Sequence, residues 1–486
     1  MFNRFGARFG GVLMKQMLGA VAGALAASPL MAADLPARKA APVEYVRVCS
    51  TYGAGFFYIP GTDTCIRVGG RVRYEFQLQT PYTRNDDTTG TRGLGRLYAD
   101  TRTETEYGLL RAFVRVDVAR RNGAIYSGTA TRIGNAFTGT SVDYNGTAQT
   151  QVVLDRAFIQ FGGLTAGRTQ SFFGFYQGDL EWVGITAGQS SLNDLTNVLA
   201  YTATFGSGFS ATLAIEDPVE ARNAIATAVA PAPGLVPTYA YTGSGAPDVV
   251  GLLRYDASWG AAQVSGALHQ VRVGEQTALA SGVTPQGFTP STEYGYALNA
   301  GVKFNLPMIA SGDALYLQGT YTHGASSYIM GNYFGLGKAA GWGIGGVGNV
   351  GMPDAVVAGA APGDLKLTSI WGLTAAALHY WTPTVRQSLF GTYMAVDFSN
   401  SAFYAANGFS FAFNGNNPYR DWRYWGIGTN LIWSPVANLD IGAEVNYVRA
   451  NAGQGGVFST ISTDPPNWIR KTGDQVIGRI RIQRDF

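Results

Sequence analysis

Along IRVGGRVRYEFQLQ, residues 66–79, apolar and polar side chains take turns. Ile66, Val68, Val72, Tyr74, Phe76 and Leu78 share one parity; Arg67, Arg71, Arg73, Glu75, Gln77 and Gln79 share the other. Alternate side chains of a strand point to opposite faces, so the stretch predicts a β-strand with one greasy and one charged face. The pattern recurs at 96–108, where Arg96, Asp100, Arg102, Glu104 and Glu106 share a parity, and at 110–120, where Arg111, Arg115 and Asp117 alternate with Ala112, Val114, Val116 and Val118. Only Gly108 and its neighbour separate these two runs, which predicts a tight hairpin. Further runs lie at 154–161, 164–170, 197–205, 209–217, 249–256, 262–271, 293–304, 314–323, 365–381, 385–397, 423–434, 439–449 and 474–486, making sixteen strands.

The gaps between runs have a rhythm of their own. Short turns such as Gly162-Gly163, Gly206-Ser207-Gly208 and Thr382-Pro383-Thr384 alternate with long polar, Gly-rich stretches, including 218–248, 272–292, 323–364, 398–422 and 450–473. An even number of antiparallel strands, with short turns at one end and long loops at the other, predicts a closed transmembrane barrel. Soluble sandwiches and propellers bury the apolar face and give no reason for such alternation. The apolar parity is then expected to face lipid, the arginine parity a lumen. Trp371, Tyr380, Trp381, Tyr424, Trp425 and Trp433 fall near strand ends, where interfacial girdles are expected. The chain ends mid-pattern on Phe486, the kind of terminal strand that outer-membrane barrels present to their assembly machinery.

Composition agrees. Charged residues are 14% of the chain against roughly 25% in soluble domains, and its 65 glycines in 486 residues are nearly twice the usual share. Beyond the leader, no apolar run reaches the roughly 18 residues of a membrane helix, and a helix-free membrane protein must close its sheet. At the N-terminus, Arg4, Arg8 and Lys15 precede the uncharged LGAVAGALAASPLMAA. That is the layout of a secretory signal peptide over 1–33, with cleavage expected after Ala32 or Ala33, and its apolar run is short of the roughly 20 residues of a membrane anchor. Removing the leader takes the 35 basic residues to 32, equal to the 32 acids. A balance of zero gives no support to a nucleic-acid partner. Cys49 and Cys65, 16 positions apart in an exported chain, are expected to form a local disulfide worth about 3 kcal/mol by loop closure. With His269, His323 and His379 they show no zinc-ligand spacing. The expected organisation is a signal peptide (1–33), a periplasmic lead-in with the Cys49–Cys65 loop (34–65) and a barrel (66–486).

VEYVRVCSTYGAGFFYIPGTDTCIRVGGRVRYE (43–75), LDRAFIQFGGLTAGRTQSFF (154–173), NVLAYTATFGSGFSATLAIED (197–217) and the terminal IRIQRDF resemble the general porins of alphaproteobacteria. The resemblance spans the expected mature chain and is most specific in the block holding both cysteines. It implies a 16-stranded homotrimeric porin of the outer membrane, set in lipid and lipopolysaccharide, whose third long loop folds into the lumen. Here that loop is about residues 171–196, SFFGFYQGDLEWVGITAGQSSLNDLT, which carries Asp179, Glu181 and Asp194 and no basic residue. Opposite it are expected the lumen-facing Arg67, Arg71, Arg73, Arg102, Arg111 and Arg115. Acids facing bases across a narrow opening would set up a transverse field that selects small hydrophilic solutes by size and charge. The loop departs from enterobacterial general porins in lacking a PEFGG-like turn.

Other signals carry little. The G-x-G-x-x-G at Gly343, Gly345 and Gly348 has no preceding strand or following helix, as dinucleotide binding requires, and Asn145-Gly146-Thr147 is a chance sequon. His269 and His379 sit on strands without a Ser or Asp constellation, which argues against a barrel enzyme. A plugged receptor would need a plug domain and more strands. A sugar- or anion-selective channel is the alternative to a general pore, and mixed acids and bases favour the latter. No cofactor or metal is expected.

Overall fold

A computed structural model describes residues 47–81, 88–125, 149–188, 195–223, 225–227, 241–273, 291–329, 342–344, 347–350, 352–358, 364–398, 421–451, 457–458 and 469–486. Residues 1–46, which hold the expected leader and most of the expected lead-in, Asp194 and most of the long loops lie outside the described residues, and Val48–Phe486 forms one compact unit. Among the described residues of that unit, a closed 16-strand antiparallel ring forms the wall. Its strands are β1 Cys65–Gln79, β2 Thr89–Thr105, β3 Gly108–Arg121, β4 Gln149–Phe161, β5 Leu164–Gln170, β6 Leu195–Gly206, β7 Phe209–Glu216 and β8 Asp248–Ala257. They continue as β9 Gly260–Val271, β10 Glu293–Asn305, β11 Ala314–His323, β12 Asp364–Thr382, β13 Val385–Phe398, β14 Trp422–Val436, β15 Leu439–Asn451 and β16 Thr472–Asp485. Each expected run is a strand, and β2 and β4 begin earlier than the alternation suggested. β16 closes the ring on β1, from Arg71 opposite Asp485 to Gln79 opposite Ile477.

Parity sorts the wall as the pattern requires. Val68, Val72, Tyr74 and Leu78 are exposed on the outer face, whereas Glu75 and Gln77 between them are buried. An exposed apolar belt of this extent is costly in water and suits lipid. Aromatic pairs ring both ends. At the turn end, Tyr107 meets Phe161 at 6.1 Å, Phe209 meets Tyr255 at 4.4 Å and Trp259 meets Phe304 at 5.7 Å between ring centres. At the loop end, the pairs are Tyr296–Tyr321, Trp371–Tyr393 and Trp425–Tyr447. Of the aromatics expected in girdles, Trp371, Trp381, Trp425 and Trp433 are exposed, but Tyr424 is buried and faces inward, its hydroxyl donating to Ile185 O at 2.9 Å.

One register break matters below. Arg115 pairs with Arg156, but Val116 pairs with Leu154, so Asp155 is an extra residue in β4. Such a bulge shifts every later side chain to the opposite face. Val152 and Leu154 are exposed before it and Ile159 and Phe161 after it.

The disulfide is present, with Cys49 and Cys65 Cα atoms 6.0 Å apart. Cys65 is the first residue of β1, so the bond ties the preceding hairpin directly to the wall. Where the ring closes, Gly70 N donates to Phe486 O at 2.9 Å and Phe486 N to Gly70 O at 3.0 Å. A Cβ at Gly70 would lie 2.5 Å from both the Arg96 carbonyl and the Phe486 ring. Gly70→Val is therefore expected to lower the stability of the folded barrel by about 1–3 kcal/mol, the usual range for overpacking. The check is the temperature at which the heat-modifiable folded band disappears in gel electrophoresis; an unchanged temperature would rule out a tight closure at Gly70.

Candidate functional site

After β5 the chain does not continue outward. Residues 171–188 lie along the polar parity of the wall, making hydrogen bonds to strand after strand. Ser171 Oγ and Phe172 N donate to Glu216 on β7, both at 3.1 Å. Phe173 O accepts from Ser265 on β9 and, at 3.4 Å, from Asn299 on β10. Phe175 N and Tyr176 N reach Gln318 Oε1 on β11 at 3.2 and 2.8 Å. Ala187 O accepts from Thr374 on β12 at 2.8 Å, and Leu180 O from Asn430 on β14 at 2.6 Å. Trp182 N and Val183 N donate to the two oxygens of Glu444 on β15 at 2.7 and 2.9 Å. Trp182 O accepts from Arg479 Nη1 on β16 at 2.7 Å, and the Arg481 guanidinium sits 4.4 Å over the Trp182 ring. Wall side chains thus satisfy the loop's backbone groups, which is how irregular chain becomes tolerable inside a barrel.

Facing this docked loop is a basic wall. On β1, β2 and β16, buried Glu75 is held by Arg92 and by Arg481 Nε at 2.8 Å, with Arg479 3.6 Å away. Arg73 donates to Gln483 at 2.8 Å. One level along, Arg96 pairs with Asp117 at 2.7 Å, and Arg115 holds Asp155. The bulge turns Arg156 inward beside Asp155, its Nη2 donating to Gln170 at 3.1 Å. Among the described residues, Arg73, Arg92, Arg96, Arg115, Arg156, Arg479 and Arg481 stand against Glu75, Asp117 and Asp155, with Glu444 opposite Arg479 across β15 and β16 and Asp179 in the loop near Arg156, an excess of two positive charges. Fixed guanidinium groups in a partly desolvated wall make a strong, preorganised field.

The expected site residues part company here. Arg73 and Arg115 stand in this wall, and Arg71 pairs with Asp485, with Nη2 3.0 Å from the carboxylate. Arg102 and Arg111 share Asp100 nearer the turn end, at 2.9 and 2.8 Å, and Arg67 packs on Phe56 and Tyr98. Asp179 is exposed in the lumen. The walls still restrict its water, and that desolvation raises its carboxyl above the ordinary range while Arg156 and Lys303 draw it back. Glu181 turns away from the opening: it is buried, accepting Ile185 N at 2.6 Å and the Thr186 hydroxyl. Burial pushes its carboxyl up to about 8, and nearby Glu444 adds to the rise. Arg92, Arg96, Arg156, Arg479 and Arg481 were not in the expected set. All but Arg156 share the polar parity of their strands, a signal present in the sequence. His269, weighed as a catalytic candidate, is wholly buried between Asp248, 2.9 Å from Nδ1, and the Tyr241 hydroxyl, 3.1 Å from Nε2.

A closed antiparallel barrel with an apolar exterior, its charged lumen narrowed by a docked loop, defines a channel-type protein of the outer membrane. The family model described as "Porin subfamily" matches residues 34–474, and this chain belongs to that family as an integral outer-membrane β-barrel. Porin Omp2b of Brucella suis biovar 1 is 36% identical over 250 residues, 50% of this chain and 62% of that protein, and Porin Omp2b of Brucella melitensis biotype 1 matches to the same extent. The match therefore spans 62% of those curated relatives. The outer membrane channel DcaP of Acinetobacter baumannii shares the fold, with a TM-score of 0.55 at 13% identity, covering 88% of this chain and 99% of that one.

Two outcomes follow from the loop's clasps. Glu444→Ala leaves Trp182 N and Val183 N without an acceptor, at about 1–3 kcal/mol each. Single-channel current is expected to become noisier and larger as the loop loosens; a trace as quiet as the parent's would show that Glu444 does not hold it. Glu181 has a folded-state pKa raised from its ordinary 4.5 to about 8, so folding takes up a proton there. Its contribution to loop docking is full below about pH 4.5 and fades as pH rises through about 8. Protease resistance of the loop should fall over that window in the parent and stay flat in Glu181→Gln; equal slopes would remove Glu181 as the cause.

Proposed function

We propose that this chain forms a water-filled pore for passive diffusion of small hydrophilic solutes and ions, selected by size and by a charged constriction, and that it prefers anions. The observation that carries the reading is the seven-arginine wall facing a loop docked across the lumen. Among the described residues, the loop contributes one exposed acid, Asp179, since Glu181 is buried and burial pushes its carboxyl up to about 8. Asp179 against Arg156 and Lys303 supplies a transverse field, and the excess of guanidinium groups lowers the barrier for anions more than for cations. The short turns then face the periplasm and the long loops the outside, with Phe486 offered to the assembly machinery and the outer belt to lipid and lipopolysaccharide.

We read the assembly as a homotrimer. The loop-end aromatic pairs run over β10 to β15. On β2 to β6 the outward positions towards that end include Thr89, Thr91, Gly93, Gly95, Val118, Val152 and Asn197, together with two arginines, Arg120 donating to Thr150 at 2.8 Å and Arg168 ion-paired to Glu220 at 3.2 Å. A face without aromatics that bears two arginines is poorly suited to lipid and well suited to another copy of itself.

Planar-bilayer recording of the mature protein under a KCl gradient tests both points. Ohmic steps in groups of three and an anion-selective reversal potential are expected. Asp179→Asn should move the reversal further towards the anion limit and Arg156→Gln back towards zero. Absence of conductance from folded protein would overturn the pore; a cation-selective reversal would overturn the charge reading.

A further inference from the structure

Arg67, Arg102 and Arg111 lie on the turn side of the constriction, bordering Arg115, which pairs across β2 and β3 with the Tyr98 that Arg67 packs on. Arg67 is eight residues from Glu75 along β1, about 26 Å at a strand's usual rise. Among the described residues these three arginines are ion-paired to one acid, Asp100, while Glu104, next along the same face of β2, accepts the Tyr52 hydroxyl at 3.3 Å beneath Arg102. Asp100 is fully buried and both its oxygens are occupied, by Arg111 Nε and Nη2 at 2.8 and 3.0 Å and by Arg102 Nη2 at 2.9 Å. Nothing is left for Arg67. Its guanidinium has no acid and no hydrogen-bond acceptor among the described residues, and its Nε is buried without a partner. It is held instead by aromatic faces, 5.1 Å from the Phe56 ring centre and 5.6 Å from that of Tyr98. Arg102 sits 4.9 Å from the same Phe56 ring. Two like charges thus share one ring, and with Asp100 and Glu104 counted the group keeps an excess of one.

The ring that gathers them is fixed. Phe56 is buried against the Cys49–Cys65 disulfide, and Cys49 N donates to Phe56 O at 2.9 Å. The next two residues, Phe57 and Tyr58, pair with Ile66 and Cys65 of β1. The cross-link therefore does more than restrain the chain: it sets the platform on which Arg67 and Arg102 are stacked. Cation–π packing orients a guanidinium without neutralising it, so apart from the buried Nε its donors, those of the two Nη groups, stay unspent.

We propose that this cluster is a second station of the lumen, at the turn end, that binds oxyanionic solutes through their carboxylate or phosphate groups. Arg67 is its free fork, Arg102 lends charge from beside it, and the disulfide-held Phe56 is its base. Carboxylate and phosphate oxygens match the planar donor pair of an arginine, and among the described residues no acid is ion-paired to this one, its cross-strand neighbour Asp100 being held by Arg102 and Arg111. The station lies on the transport path only if the lumen conducts, so it rests on the pore reading above.

The test uses the full mature protein in planar bilayers with inorganic phosphate as probe. Orientation is fixed by an impermeant label on a tag placed in the Gly162–Gly163 turn. Phosphate added on the turn side is expected to reduce the current in a saturable way, at lower concentration than phosphate added on the loop side. Arg67→Gln should weaken block from the turn side about tenfold, the loss of one charge-assisted contact, and leave loop-side block unchanged. Arg67→Lys, which keeps the charge but loses the fork, should fall between them; it also serves if Arg67→Gln does not fold. Channels that do not conduct overturn the pore and the station together. Channels that conduct but show phosphate block that is symmetrical, or indifferent to both Arg67 variants, overturn the station alone.

Discussion

Closure of the ring is the constraint from which the rest follows. In lipid, an unpaired backbone N–H or C=O finds no water, so a sheet can cross only if its last strand pairs with its first. The pairing of Arg71 through Gln79 with Ile477 through Asp485 meets that demand. It also divides every side chain of the wall between lipid and lumen by parity alone. Nothing local decides which way Arg73 or Val72 points; the closed ring does. The tight seat of Phe486 on Gly70 is where this global condition becomes a local contact.

Once parity is global, a single inserted residue has a large effect. The extra Asp155 leaves Leu154 facing out and brings Arg156 in, next to Arg115. Strict alternation from Leu154 would put Arg156 in lipid, where a guanidinium is costly. The bulge thus removes that cost and adds a charge to the lumen wall. The sequence does hold a trace of it, since Leu154 and Ile159 are both apolar and an odd number of positions apart. Read from periodicity alone, that looks like noise in an otherwise regular strand.

The strands and their number were legible because alternation is a one-dimensional signal and closure preserves it. The site was legible only in part, because its loop has no period. Asp179 and Glu181 are two residues apart in a loop without bases, and composition treats them alike. The fold separates them, since Glu181 finds Ile185 N and the Thr186 hydroxyl within its own turn while Asp179 finds none. Tyr424 misleads for a related reason. Its position near a strand end suits an interfacial girdle, but its parity is inward and its hydroxyl is claimed by Ile185 O, a partner more than two hundred residues away in sequence. Arg479 and Arg481, by contrast, alternate openly with Ile480 and Ile482. What the sequence does not show is that β16 stands beside β1, so that both surround Glu75.

The charges of the wall serve two demands that pull in opposite directions. A buried carboxylate such as Glu75 is tolerable only with partners, and two of them would suffice. Arg92, Arg481 and Arg479 all crowd it, and Arg73 stands close by on a glutamine rather than an acid. That arrangement is poor economy for stability alone, because the extra cations repel one another. Stability is recovered elsewhere: Arg479 also caps the Trp182 carbonyl, and Arg481 packs on the Trp182 ring, so the surplus cations double as anchors of the loop. The same residues therefore set the field at the opening and hold the segment that narrows it. Width and charge are not independent variables in this lumen, because an arginine removed to soften the field also loosens the loop.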